Sequence, residues 1–229
     1  MKLRALIFDV DGTLAETEEA HRQAFNETFA GWKLGWHWGR DLYRELLKTT
    51  GGKERISAFQ ESLPESSRLS PEEIARLHRE KTARYNEILA EGGLALRPGV
   101  ADLIAAARRA GLKIAVATTT NLPNVEALTQ CCWGLPAGHI FDTIAAGDMV
   151  QAKKPAPDVF LLALRQLSLP PEACIAFEDS RPGLTSAKDA GLRVIVTPSA
   201  YTDGDDFTGA SRVIPALTSQ HLPPELRLL

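Results

Sequence analysis

From Arg97 onward, short apolar runs alternate with amphipathic stretches punctuated by Pro and Gly, a pattern that admits few folds. Pro98 opens a helix whose Val100, Leu103, Ile104 and Ala107 share one face, and Gly111 stops it. Lys113 to Ala117 follows as an apolar strand, and Asn121 with Pro123 opens a helix through Val125 and Leu128. A short strand at Phe141 to Ala145 precedes a helix holding Phe160, Leu161, Leu164 and Leu167. Cys174 to Phe177 is the next buried strand. Ser180 and Pro182 begin a helix that ends at Gly191, and Arg193 to Thr197 and Ser211 to Ile214 read as further strands. Strands separated by helices pair in parallel and are covered on both faces, so the class is α/β.

A first strand, Leu3 to Val10, belongs to the same sheet. The interval after it reads as all-helical, with helices expected at Thr17–Ala30, Arg40–Lys48, Lys53–Leu63 and Pro71–Glu91. Such an insertion would cap the ends of the sheet strands. The chain therefore divides into a core, residues 1–15 and 95–229, and a helical cap, residues 16–94. The four tryptophans are expected to pack cap helices. With 229 residues, 44% of them apolar, there is enough material for this core. A net charge of −3 without a basic stripe argues against nucleic acid as a partner. No apolar run approaches the roughly 20 residues that span a bilayer. Adjacent Cys131 and Cys132 with a distant Cys174 make neither a disulfide framework nor a zinc site. A reduced, cytoplasmic setting is expected, and a monomer.

Reacting groups in an open parallel sheet gather at the carboxyl ends of its strands. Four such ends carry unusual chemistry here: Asp9-Val10-Asp11-Gly12-Thr13, Thr118-Thr119-Thr120-Asn121, the region of Lys153-Lys154-Pro155, and Glu178-Asp179-Ser180. Any one could be a turn or a helix cap. Together they bring at least three carboxylates to one spot, where they repel unless a cation sits among them. All-oxygen ligands favour Mg²⁺, which commonly binds phosphate oxygens. Lys154 and Thr118 suit the holding of a phosphoryl group. One carboxylate can attack phosphorus, and a second leaving the strand on the same side can serve as acid and base.

These four motifs, in this order, resemble the haloacid dehalogenase superfamily. The resemblance implies a Rossmann-like core with a cap inserted after the first strand. DVDGT implies Asp9 as nucleophile and Asp11 as acid/base. Thr118, ending IAVAT, and Lys154 in KKPAPDVF match the second and third motifs. Glu178 and Asp179 in AFEDS match the acidic fourth, implying Mg²⁺ held by Asp179, Asp9 and the backbone carbonyl of Asp11. KPAPDVF with EDSRPG is similar to the branch containing beta-phosphoglucomutase and many sugar phosphatases. AETEEAHRQAFNETF, Trp32, Trp36 and Trp38, and TTGGKERI resemble CbbY-type phosphatases, which act on xylulose-1,5-bisphosphate, an inhibitor of Rubisco. The implied activity is a Mg²⁺-dependent sugar-bisphosphate phosphatase; a sugar phosphomutase or a non-catalytic sugar-phosphate sensor are the alternatives.

Substrate contacts are expected from Thr119, Thr120 and Asn121 and from the cap. Lys81 falls on the apolar stripe of the helix that Ser70 and Glu73 begin with a capping box. There it either snorkels or reaches into the cleft for a phosphate. His21 shares a helix face with Thr17 and Phe25 and is either structural or, as in the mutase branch, a substrate contact that helps position the acid. Glu16 is a solvated hinge charge or a substrate contact. Gly52, Lys53 and Arg55 form either a plain turn or a helix start suited to a second phosphate. Arg40 and Arg44 are assigned no role.

Overall fold

Strand β1 (Ala5–Phe8) is followed by four cap helices: α1 (Glu18–Gly31), α2 (Arg40–Leu46), α3 (Gly52–Gln60) and α4 (Pro71–Ala90). The chain then alternates: α5 (Val100–Arg109), β2 (Lys113–Ala117), α6 (Leu122–Trp133), α7 (Ala137–Ile140) and β3 (Thr143–Ala145). It continues with α8 (Asp158–Leu167), β4 (Cys174–Glu178), α9 (Arg181–Asp189), β5 (Arg193–Val196), β6 (Arg212–Val213) and α10 (Pro224–Arg227). This computed structural model describes residues 2–227; of the expected core, positions 1, 228 and 229 lie outside the described residues.

The six strands form one parallel sheet ordered β3-β2-β1-β4-β5-β6, so β1 sits between β2 and β4. Leu6 and Phe8 point into one apolar cluster, Ala5 and Ile7 into the other, which is the period of a strand buried on both faces. Helices α5, α6 and α7 cover the first face, and α8 and α9 the second. Small residues on the second face (Ala5, Ala115, Ala117, Ala176) leave room for Phe160 of α8. The expected α/β core with a helical insertion after its first strand is the observed fold.

Several boundaries differ for local reasons. β1 ends at Phe8 rather than Val10, because the Val10 carbonyl accepts from Thr13 and Leu14 and turns the chain out of the ladder. β3 starts at Thr143, since the Phe141 amide closes α7 on the Ala137 carbonyl. The capping box of Ser70 and Glu73 forms as expected. Trp38 is fully buried among Phe25, Phe29, Tyr43 and Phe59 in the cap, and Trp32 and Trp36 pack against that cluster. Trp133 departs from expectation. It ends α6 in the core and meets Phe141 edge-on, because the apolar face of α6 packs on the sheet.

The two linkers between core and cap meet at Ala15, which bridges to Asp11 and Leu96. Arg97 pins this crossing. Its guanidinium donates to the carbonyls of Thr197 (2.7 Å), Pro198 (2.6 Å) and Gly12, and pairs with Glu16 at 3.3 Å.

Replacing Ser70 by Ala removes one half of the α4 capping box and leaves an amide of the first turn unpaired. Urea unfolding is expected to show a loss of about 1 kcal/mol, with activity unchanged; an unaltered midpoint would mean the box adds nothing to cap stability.

Candidate active site

The ends of β1, β2 and β4 are adjacent, so the residues that follow them converge. Asp9 leaves β1 with its amide still bonded to the Phe177 carbonyl at 2.9 Å, and the stacked rings of Phe8 and Phe177 fix the pair of strands beneath it. The Lys154 ammonium sits between these ends. It donates to Asp9 Oδ1 (2.6 Å), Glu178 Oε1 (2.6 Å) and the Ala117 carbonyl (2.9 Å), one acceptor from each strand. Burial alone would depress this lysine, but the Asp9 and Glu178 carboxylates outweigh it and hold the ammonium protonated.

Asp9, Glu178 and Asp179 each offer a carboxylate oxygen, all within 4.8 Å of one another, and all three residues are buried. Three carboxylates against one ammonium leave two negative charges. Burial, then the Glu178 and Asp11 charges, lifts Asp9 to about 7 despite Lys154. Burial, with Asp9 and Glu178, raises Asp179 well above the usual carboxylate range. A hard divalent cation fits both the donor set and the missing charge. Glu178 has both oxygens engaged already: Oε1 takes Lys154, and Oε2 accepts from the Asp179 amide and the Ser180 hydroxyl. Gly183 packs so closely on this carboxylate that any side chain there would collide with it.

Asp11 faces the cap instead. Its Oδ1 accepts from the Thr17 hydroxyl (2.6 Å) and bonds His21 Nε2 (3.1 Å), while His21 Nδ1 lies 2.7 Å from the Lys81 ammonium. An ammonium only donates, so Nδ1 accepts from Lys81 and Nε2 carries the proton given to Asp11. Burial would raise Asp11, but His21, Thr17 and Lys81 outweigh it and hold the group at about 2. The His21 ring stacks on Tyr85 at 3.9 Å. Burial, then the nearby Lys81, lowers the pKa of His21. Lys81 itself is 3% exposed, so it does not snorkel; burial, then Arg55, depresses it to about 7.

A cleft of about 1060 Å³ lies between core and cap. Asp9, Asp11, Thr119, Thr120, Asn121, Lys154 and Asp179 line it from the core, and His21, Gly52, Lys53, Arg55 and Lys81 from the cap. Thr118 is buried beneath the floor, its hydroxyl oxygen accepting from the Thr120 amide. Asn121 caps α6. Arg55 is held by Tyr43 and the Leu46 carbonyl. Glu16 does not reach the cleft: its carboxylate is taken by Arg97 and the Ala200 amide at the hinge. Further basic residues to which the sequence assigns no substrate role also line the cleft, among them Arg44, His78, Arg79 and Lys153. His78 is pushed down to about 3 by burial and then by the cations Lys81, Lys153 and Lys53. The cap side of the cleft is thus cationic opposite an anionic floor. TTGGKERI marked one part of it; nothing in periodicity marks the rest.

The haloacid dehalogenase-like hydrolase family matches residues 3–191. The chain belongs to this family. It is 60% identical over 219 residues to "Protein CbbY" of Rhodobacter capsulatus, covering 96% of each chain. A crystal structure of CbbY from Rhodobacter sphaeroides in complex with phosphate superposes with a TM-score of 0.91 at 58% identity, covering 94% of this chain and 95% of that one. A mutant of the same Rhodobacter sphaeroides protein, solved in complex with xylulose-(1,5)bisphosphate, matches with the same score, identity and coverage. The residues matched by the family include all four strand-end motifs.

Lys81 provides a test of the cap's charged chain. Its folded pKa of about 7 lies below the ordinary 10.5, so between those values the unfolded chain binds a proton the folded chain lacks, and stability rises with pH. The cost of burying the lysine is fully present below pH 7. Lys81→Met is therefore expected to stabilise the fold near pH 6.5 by on the order of 3 kcal/mol, less near pH 9.5, while turnover falls. Urea unfolding at the two pH values checks this; a gain independent of pH would place the effect in packing.

Proposed function

We propose that the protein is a phosphatase of small sugar phosphates working through an aspartyl-phosphate on Asp9. Its preferred substrate in this reading is xylulose-1,5-bisphosphate, and its product xylulose 5-phosphate, so that it clears an inhibitor of Rubisco. The observation that carries the reaction is the Lys154-tethered carboxylate of Asp9 beside Asp179 in a cleft that also holds a second carboxylate, Asp11. The substrate reading rests on the two CbbY relatives and on the cations that line the cleft, Lys53, Arg55 and Arg79 from the cap and Lys153 from the core, which offer a place for a second phosphate.

Lys154 occupies Asp9 Oδ1, which leaves Oδ2 to attack phosphorus. The new Asp9–phosphorus bond forms as the bond from phosphorus to the sugar oxygen breaks, and that oxygen takes a proton from Asp11. Water then gives its proton to Asp11 and attacks the phosphoryl group, releasing phosphate and the Asp9 carboxylate. Thr119, Thr120 and Asn121, which line the cleft, offer donors for the phosphoryl oxygens. Lys154, its three N–H bonds already given to Asp9, Glu178 and Ala117, contributes its positive charge, and Thr118 supports the loop from beneath. Asp9 and Asp179, with the Asp11 carbonyl, would hold Mg²⁺, which when bound keeps both carboxylates ionised and draws charge from the phosphoryl oxygens. Asp11, held as an anion by Thr17 and His21, must first leave these donors, which raises its pKa, and take up a proton from solvent before it gives one to the sugar oxygen. In this reading one chain, which lines its own cleft, is the working unit, and it works in a reducing cytoplasm, where the three free cysteines would persist. Among the described residues no helix is long and apolar enough to cross a membrane.

Asp9→Asn is expected to lower phosphate release from xylulose-1,5-bisphosphate by at least ~10³-fold, with an unaltered circular dichroism spectrum. Chelation should silence the wild type, and Mg²⁺ should restore it. Release of an isomerised sugar phosphate instead of inorganic phosphate would replace the hydrolase by a mutase. No turnover of any phosphorylated sugar would leave only binding.

A further inference from the structure

We infer that Tyr201, carried by a core loop, is a positioning residue that seats the cap over the cleft; this rests on the phosphatase reading above. Tyr201 follows β5, yet its ring is 9% exposed and belongs to the apolar cluster of the cap, with Phe25, Trp38 and Tyr43. It meets Tyr43 of α2 edge-on at 5.7 Å and 87°, and its hydroxyl donates to the Glu19 carboxylate of α1. The neighbouring residue adds two more ties: Arg44 of α2 donates to the Ala200 carbonyl at 3.0 Å, and the Ala200 amide donates to Glu16 at 3.3 Å.

The same short loop is anchored at its other side to the cation-binding end of the site. Thr202 Oγ1 donates to the Asp179 carbonyl at 2.7 Å and accepts from the Ser199 amide at 2.9 Å, while Arg97 holds the Pro198 carbonyl at 2.6 Å. Residues 198–202 therefore join the backbone of Asp179 to the aromatic cluster of the cap. The cap cannot shift from its seat without withdrawing an aromatic ring from its own cluster, which exposes apolar area and removes the Tyr201 hydroxyl from a Glu19 carboxylate that keeps only Arg22 and Arg40. That cost favours the position in which His21, Lys53 and Arg55 line the cleft opposite the core residues Asp9 and Asp179. A substrate long enough to touch the cap gains from this seating; a short phosphate ester that meets only the core does not.

The test compares wild type, Tyr201→Phe and Tyr201→Ala with xylulose-1,5-bisphosphate and with acetyl phosphate, alongside hydrogen exchange of the cap amides. The Ala variant is expected to lose roughly 10–100-fold in kcat/KM for the bisphosphate, and Tyr201→Phe a smaller share, with acetyl phosphate turnover maintained in both. Exchange should quicken in α1 and α2 and stay unchanged in β4. Equal losses for both substrates would overturn the proposal in favour of damage to the Asp179 side, and no loss with unchanged exchange would reduce the ring to filler. If Tyr201→Ala does not fold, the Phe variant decides by the same criteria. If wild type hydrolyses neither the bisphosphate nor acetyl phosphate, the phosphatase reading falls, and exchange alone decides the seating role: selective quickening of α1 and α2 supports it, uniform exchange overturns it.

Discussion

One buried ammonium, that of Lys154, ties together the ends of three neighbouring strands. Its acceptors are Asp9 beyond β1, Ala117 of β2 and Glu178 of β4. A buried ion pair loses hydration on both sides, so it contributes little net stability compared with apolar packing. Its effect here is geometric and electrostatic. It aims one oxygen of Asp9, leaves the other free, and offsets only part of the negative charge that Asp9, Glu178 and Asp179 bring together. The remaining negative charge suits a divalent cation, whose own charge would be needed before an anionic group could approach.

A second charged chain runs through the cap side: Lys81, His21, Asp11. Its three members come from α4, α1 and the loop after β1, so the acid/base candidate is bonded to the cap while the nucleophile candidate is bonded to the core. Cap position and the orientation of Asp11 are therefore linked through Thr17 and His21. The depressed pKa of Lys81 measures the stability given up to keep this chain dry.

Much of the core was legible because its information is local. Strand ends occupy one edge of a parallel sheet, so residues at those ends must meet; Asp9 and Asp179 follow from the order of elements, while Lys154, on the loop between β3 and α8, was found through its motif. The capping box at Ser70 is a four-residue signal and formed as read. What stayed hidden depends on contacts between distant segments. Glu16 is drawn to Arg97, a partner some eighty positions away, and not to the cleft. Trp133 shares its residue type with the cap tryptophans but rides on a helix committed to the sheet. Arg44 and Tyr201 look like ordinary surface residues until the core loop meets α2. No periodicity encodes such meetings.

The central claim is that Asp9 takes the phosphoryl group. Rapid acid quench during turnover of xylulose-1,5-bisphosphate, followed by peptide mass spectrometry, tests it most directly. The account predicts a transient phosphorylated peptide whose modification maps to Asp9 and decays as inorganic phosphate appears. Phosphate release at full rate with the adduct on another residue, or with none at any quench time, would contradict it.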